Sequence, residues 1–312
     1  MAEKDAVTKR YMNDTSHFAD AVNVGLFNGK EVVKPEMLHT MDATVLARMI
    51  DKNAQSKKAT VQRYRDLVKR VTLKSDGKTL YMIVGIENQS EIDNVMTLRT
   101  MLSDAAQYMM QVDQLKKKHR RNHDKTESAA DYLSGFYPGD KLIPVITLTV
   151  YFGSELWTAP TDLHSMLDAS ADVLRLVDNY HLHLIDPNVI ADEDFGLFRT
   201  ELRNVMKYVK HSGNIDDLRA MIAQDASYQN LSRETYDTIN IVTGSKLGEP
   251  EGKERVNMCK AIEQLEMQAK KETSMAIAQK LLARGKMTIE EIAELTELSV
   301  EEVRALAGEQ SA

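Results

Sequence analysis

Leu80-Tyr-Met-Ile-Val-Gly-Ile-Glu-Asn-Gln89 is the stretch on which the fold turns. It is apolar and rich in β-branched residues, and it stops abruptly in polar ones, as a core strand does where it leaves the interior. Side chains alternate along a strand with a period of two. Leu80, Met82, Val84 and Ile86 therefore share one face, and Ile83, Gly85, Glu87 and Gln89 share the other. A carboxylate and an amide project together from the strand's end. Burying a carboxylate there is costly unless it is paired or holds a cation. Taken alone, Glu87 and Gln89 read first as the place where the strand meets water.

Just before this stretch, Ser75-Asp76-Gly77-Lys78 carries an Asp-Gly turn signal that demands a strand on each side. Residues 61–72 fit a helical period as well as a strand. The turn decides for a partner strand over at least residues 66–73, with Asp66, Glu87 and Gln89 on one hairpin. A second buried strand is expected at 142–152, where Leu142-Ile-Pro-Val-Ile-Thr-Leu-Thr-Val-Tyr-Phe152 is almost continuously apolar.

The remaining chain reads as largely helical. Helices are expected at 14–28, ended by Asn28-Gly29, at 41–54, and at 95–115, where Met96, Arg99, Leu102, Ala106, Met109 and Met110 fall near one side. The last of these runs into the basic cluster Lys116-Lys-Lys-His-Arg-Arg121, followed by a polar loop to Ser128. Beyond Asp162, helices are expected at 162–178, 194–211, 214–225, 231–243 and 253–284, interrupted by a short alternating strand at 180–185. Residues 287–306 read as helix, turn, helix, with Thr288 and Ser299 as N-caps.

Composition sets outer bounds. The chain has 312 residues, 43% of them hydrophobic and 28% charged, as in an ordinary globular protein. Its net charge of −7 means that an anionic partner must be met by a local patch. The single cysteine, Cys259, excludes an internal disulfide framework and a cysteine-rich zinc site. No run approaches membrane-span length, and residues 1–10 are too charged for a secretory signal, so no membrane partner and a cytoplasmic location are expected.

Four separated motifs carry a resemblance: Phe18-Ala-Asp-Ala-Val-Asn23, Arg63-Tyr-Arg-Asp66, Gly85-Ile-Glu-Asn-Gln-Ser-Glu-Ile92 and Lys141-Leu-Ile-Pro-Val-Ile-Thr-Leu148. In this order and at these spacings the chain resembles the recombination-promoting nuclease and putative transposase family of bacteria, part of the PD-(D/E)XK nuclease superfamily, over roughly residues 11–245. The resemblance implies an α/β fold: a restriction-endonuclease-like core with a mixed central sheet flanked by helices, plus a helical C-terminal extension. It implies a nuclease-like core over 11–160, a mainly helical continuation of the same domain over 161–250, and a long helix with a helix-turn-helix-like tail over 251–312.

The resemblance also implies a magnesium-dependent deoxyribonuclease linked to recombination or mobile elements. Asp66 and Glu87 would be the metal-binding acids, for Mg2+ or Mn2+, and Asp20 on the first helix a supporting acid. Gln89 stands where the wider superfamily usually has a lysine; an amide can orient water by hydrogen bonding but stabilises negative charge weakly. Asp93-Asn94 departs from the His-Tyr that relatives tend to carry. The alternative is a catalytically inactive nuclease fold that binds DNA or regulates.

Further DNA contacts are expected from Arg99 and from Lys116, Lys117, Lys118, Arg120 and Arg121, which can neutralise backbone phosphates without reading sequence. The terminal helix pair has helix-turn-helix spacing, but its second helix opens Ser299-Val-Glu-Glu, whose acids phosphate would repel. It reads as a packing module or the seat of a homodimer.

Overall fold

The computed structural model describes residues 2–41, 67–75, 78–126, 128–250 and 254–309. The chain divides into two compact units, residues 1–218 with 237–244, and residues 219–236 with 245–312.

The first unit is built on a five-stranded mixed sheet in the order β1-β2-β3-β4-β5. The strands are β1 Leu38–Thr40, β2 Leu67–Ser75, β3 Lys78–Gln89, β4 Val145–Tyr151 and β5 His183–Ile185. Pairing is antiparallel from β1 to β3 and parallel from β3 to β5. Ser75 pairs with Lys78, so β2 and β3 are joined across two residues as the Asp-Gly signal requires. The parallel step from β3 to β4 needs a long crossover. Helix α3, Met96–Asn122, provides most of it, followed by the short α4, Ala129–Ser134.

The two faces of the sheet are covered differently. Helices α1, Ala2–Asn13, and α2, Thr15–Phe27, lie on one face. There the Lys69 ammonium, fully buried, donates to the Asn13 carbonyl at 2.7 Å and stands 5.1 Å from the Phe18 ring centre. Burial holds its pKa below the usual lysine value. Gly25 of α2 allows close approach to the sheet: a Cβ there would lie 2.7 Å from Leu148 Cδ1. The other face belongs to α3, where Val68, Ile83 and Val145 pack with Tyr108.

Helix α3 meets the sheet with its polar side. Thr97, Thr100, Ser103, Asp104, Gln107 and Gln111 are buried, whereas Val95, Leu98, Met101, Leu102 and Met109 are exposed. The expectation of a single side holding Met96, Leu102 and Met109 is thus corrected: Met96 and Met110 are buried, Leu102 and Met109 are not. Two of these polar groups bond across the interface. Asp104 accepts from the Thr147 hydroxyl at 2.6 Å and the Tyr180 hydroxyl at 2.7 Å, and Gln111 bonds both the N–H and the C=O of Ile143.

Other expectations are adjusted locally. Helix α2 ends as expected, with Asn28 in the left-handed conformation and Gly29 behind it. Helix α1 precedes it where no helix was expected. Helix α3 continues past residue 115 to Asn122, so the basic cluster forms its last turns. In place of a helix over 162–178 there is a 3₁₀ turn, His164–Met166, and the four-residue α5, Ala171–Leu174. The 194–211 segment becomes a 3₁₀ turn, Asp192–Leu197, followed by α6, Leu202–His211. Helices α7, Ile215–Gln224, and α8, Arg233–Thr243, fall where the periodicity puts them. The expected helix over 41–54 lies, but for Met41, outside the described residues.

In the second unit, Leu231 and Ser232 pair with Val256 and Arg255, and α9, Met258–Arg284, follows. Helices α10, Ile289–Thr296, and α11, Val300–Glu309, pack with it around Ala278, Ile292, Ala293, Leu298, Val303 and Leu306. Thr288 and Glu291 form a reciprocal capping box. Ser299 Oγ likewise accepts from the Glu302 N–H. The Lys271 ammonium at 2.6 Å draws the Glu302 pKa down to about 2. Much of the apolar surface of the terminal pair is therefore spent inside the chain, as a packing module requires.

Candidate active site

Parallel pairing sets Glu87 beside Thr149 and Gln89 beside Tyr151. Thr147 and Thr149 share a face of β4, and Thr147 bonds Asp104, so Glu87 and Gln89 project on the α3 side of the sheet. Glu87 does not mark the strand's exit into water: it is 4% exposed, and Gln89 is half-buried. Strand β4 on one flank and helix α3 above it cover the carboxylate.

A buried carboxylate needs a counter-charge. Arg99, one turn into α3, brings its guanidinium to 3.7 Å from Glu87 and bonds Asp93 at 2.5 Å. Asp93 also accepts from the Val95 N–H at 2.9 Å, fixing the start of the helix. Gln89 and Arg99 open onto a cavity of about 530 Å³ whose rim carries Asp5, Glu91 and Asp93. Beside Glu87 in the register, the Thr149 hydroxyl is fully buried and has no hydrogen-bond partner among the described residues.

The donor set suits a hard divalent cation, which takes oxygen ligands. Glu87 supplies a carboxylate, Gln89 an amide oxygen, and Thr149 an unspent hydroxyl next to them. Among the described residues no group of three His, Cys, Asp or Glu side chains is gathered as around a metal. Asp66, the second expected acid, lies outside the described residues; in the sequence it directly precedes Leu67, which pairs with Ile86.

Asp20 sits elsewhere. It is buried on α2, on the face of the sheet opposite to Glu87, and its oxygens accept from the Arg199 N–H, the Thr200 N–H and the Thr200 hydroxyl at 2.6–3.0 Å. Asn23 similarly clamps Val32 and Val33. Both residues of the Phe18–Asn23 motif thus fasten loops.

The basic cluster is in two parts. Lys116 donates to the Leu133 carbonyl, and His119 bonds Asp124 at 2.8 Å and Asp140 at 2.9 Å while stacking on Tyr137. Those bonds, Asp124 foremost, raise the His119 pKa. A backbone bond from Tyr137, and then His119, lower that of Asp140. Lys117, Lys118, Arg120 and Arg121 are exposed.

Asp5, Glu91, Asp104 and Thr149 were not singled out by sequence reasoning, and Asp93 was noted only as a departure from the family's His-Tyr. Asp93 and Glu91 had a signal, as acids directly after a strand end and before a helix. Asp104 had one too, as an acid in a helix whose apolar residues do not supply its buried face.

The chain matches the family model described as "Putative transposase, YhgA-like" over residues 5–238. No curated protein and no solved structure matches it. Among the described residues, no helix is long and apolar enough to cross a membrane. With three quarters of its length covered by that match, the chain belongs to the YhgA-like family of putative transposases.

Proposed function

We propose that the protein is a metal-dependent DNA endonuclease serving recombination or a mobile element. The observation that carries this reading is the burial of Glu87 near the end of β3, on one face with Gln89, which lines a cavity together with Arg99, whose guanidinium lies 3.7 Å from Glu87. The family supports a DNA-processing role. The topology supports a PD-(D/E)XK-type core: an antiparallel three-strand meander, a helical crossover and a parallel fourth strand.

Glu87, with Asp66, would hold Mg2+ or Mn2+. When bound, such a cation polarises a phosphodiester and lowers the pKa of a water. Gln89 orients the attacking water, its amide offering both a donor and an acceptor. Arg99 balances the buried carboxylate and presents guanidinium donors toward a phosphate oxygen. Lys117, Lys118, Arg120 and Arg121 contact backbone phosphates, and Lys116 shapes that surface through its bond to Leu133. Asp20 keeps the 199–200 loop in place.

Conversion of supercoiled plasmid by the purified chain tests this. Cleavage is expected with Mg2+ or Mn2+, and Glu87→Ala should lower its rate by about 100-fold or more, the scale of losing a transition-state charge stabiliser. Equal inactivity of wild type and variant across both metals and both single- and double-stranded DNA defeats the catalytic reading.

One observation favours a second reading. The Arg99 guanidinium already serves as a cationic partner for Glu87, as it would in a nuclease fold retained for DNA binding or regulation without turnover. That reading expects DNA affinity that falls steeply with salt and is indifferent to Glu87→Ala.

A further inference from the structure

The outward face of α3 is built like one half of a coiled coil. Val95, Leu98, Leu102, Ala105, Met109 and Val112 follow one another at steps of three, four, three, four and three, the a/d spacing of a heptad seam. This stripe faces away from the sheet: Val95 is 49% exposed, Leu98 42%, Leu102 45% and Met109 59%, and Ala105 is exposed too. The same helix spends Thr, Ser, Asp and Gln on the sheet. An exposed apolar patch of this extent on a folded chain marks an interaction surface.

Charge identifies the occupant. The α3 N-terminus adjoins the acidic cavity rim of Asp5, Glu91 and Asp93, and Val95, the first seam residue, lines that same cavity. The other end of the helix carries the exposed Lys117, Lys118, Arg120 and Arg121. A helix apolar along its length, acidic at one end and basic at the other complements a copy of itself running in reverse. A parallel arrangement would bring the two basic ends together.

We propose that a second copy of this chain docks on α3 as an antiparallel two-helix seam across a two-fold axis. Val95 then meets Val112 of the second copy, Leu98 meets Met109, and Leu102 meets Ala105, so every seam position is covered. The contact is isologous, with both pairs of ends matched at once. In this register the basic end of each α3 overhangs the start of the other, placing Lys117, Lys118, Arg120 and Arg121 of one copy at the Gln89–Arg99 cavity of the other. The candidate site, whose rim in one chain is acidic, gains its phosphate-binding charge from the second chain. This last consequence rests on the nuclease reading; the pairing itself does not.

Sedimentation of the full chain, of 35.2 kDa per copy, is expected to give a dimer at micromolar concentration. Leu102→Asp, which buries a charge at the seam centre of both copies, should weaken association by about 100-fold. Should that variant fold poorly by circular dichroism, oxidation of Leu98→Cys/Met109→Cys on a Cys259→Ser background decides. The two sites are 11 residues, about 16 Å, apart along one helix, too far for an internal disulfide. A disulfide-linked dimer is the expected product. A monomer without cross-link, a dimer that Leu102→Asp leaves intact, or a dimer that Leu98→Cys alone cross-links as a parallel pair would each overturn the proposal. Loss of nuclease activity with the dimer and cross-link retained would count against the catalytic reading alone.

Discussion

Glu87 and Asp20 show how two acids of one chain acquire different work from their surroundings. Glu87 is enclosed at a strand end with one guanidinium 3.7 Å away and an unspent hydroxyl beside it. Asp20 accepts four short contacts from two consecutive residues of a distant loop. Bonds of this kind to a carboxylate are among the stronger ones in proteins, and their loss strands buried N–H donors. Asp20→Ala is therefore expected to lower unfolding free energy by about 2–4 kcal/mol in urea titration. An unchanged denaturation midpoint would return Asp20 to the catalytic candidates. From sequence, the placement of Glu87 on a strand end was legible because alternation and the Asp-Gly turn are local. The loop partner of Asp20 was not, since it lies about 180 residues away and its donors are mostly backbone N–H groups that any sequence could supply.

At the scale of elements, β2, β3 and β4 were legible because β-branched runs bounded by turn residues leave little choice. Helix α3 was legible as a helix but not in its orientation. Hydrophobic periodicity assumes that the apolar stripe faces the core, and here Thr97, Thr100, Ser103, Asp104 and Gln107 are buried instead, with Asp104 bonded to Thr147 of β4. The helix expected over 162–178 was over-read because its apolar periodicity serves no core there: Leu167, Val173 and Leu176 are exposed. The far end of α3 is pinned by His119 between Asp124 and Asp140. Because those carboxylates raise the His119 pKa in the folded state, the linkage has a definite sign. The stabilisation is fully present below the ordinary histidine pKa of about 6.5 and is lost as pH rises through the raised folded value. A proton NMR titration of His119 should give a midpoint above that of a free histidine. In parallel, His119→Gln should flatten the decline in thermal stability as pH rises above the ordinary histidine value. A midpoint at or below the ordinary value would contradict the clamp.

At the scale of the whole molecule, the chain is acidic with one basic helix end, so its net charge of −7 says little about DNA. What matters is where the four exposed cations at 117, 118, 120 and 121 lie relative to β3. In one chain they sit at the opposite end of a helix of 27 residues, about 40 Å long, from Arg99's end. Periodicity alone could not give that arrangement, which depends on the crossover direction between β3 and β4. The C-terminal helices, by contrast, were readable as a packing module from two N-cap signals and an acidic second helix, and their apolar residues do meet one another on α9. The central claim is that the end of β3 holds a divalent cation through Glu87. A crystal soaked in manganese, with anomalous scattering measured, tests it most directly. The expected result is a peak within about 2.2 Å of a Glu87 carboxylate oxygen, at the short range of hard-cation bonds, lost in Glu87→Gln. Absence of density there, with Arg99 still paired to Glu87 at saturating manganese, would contradict it.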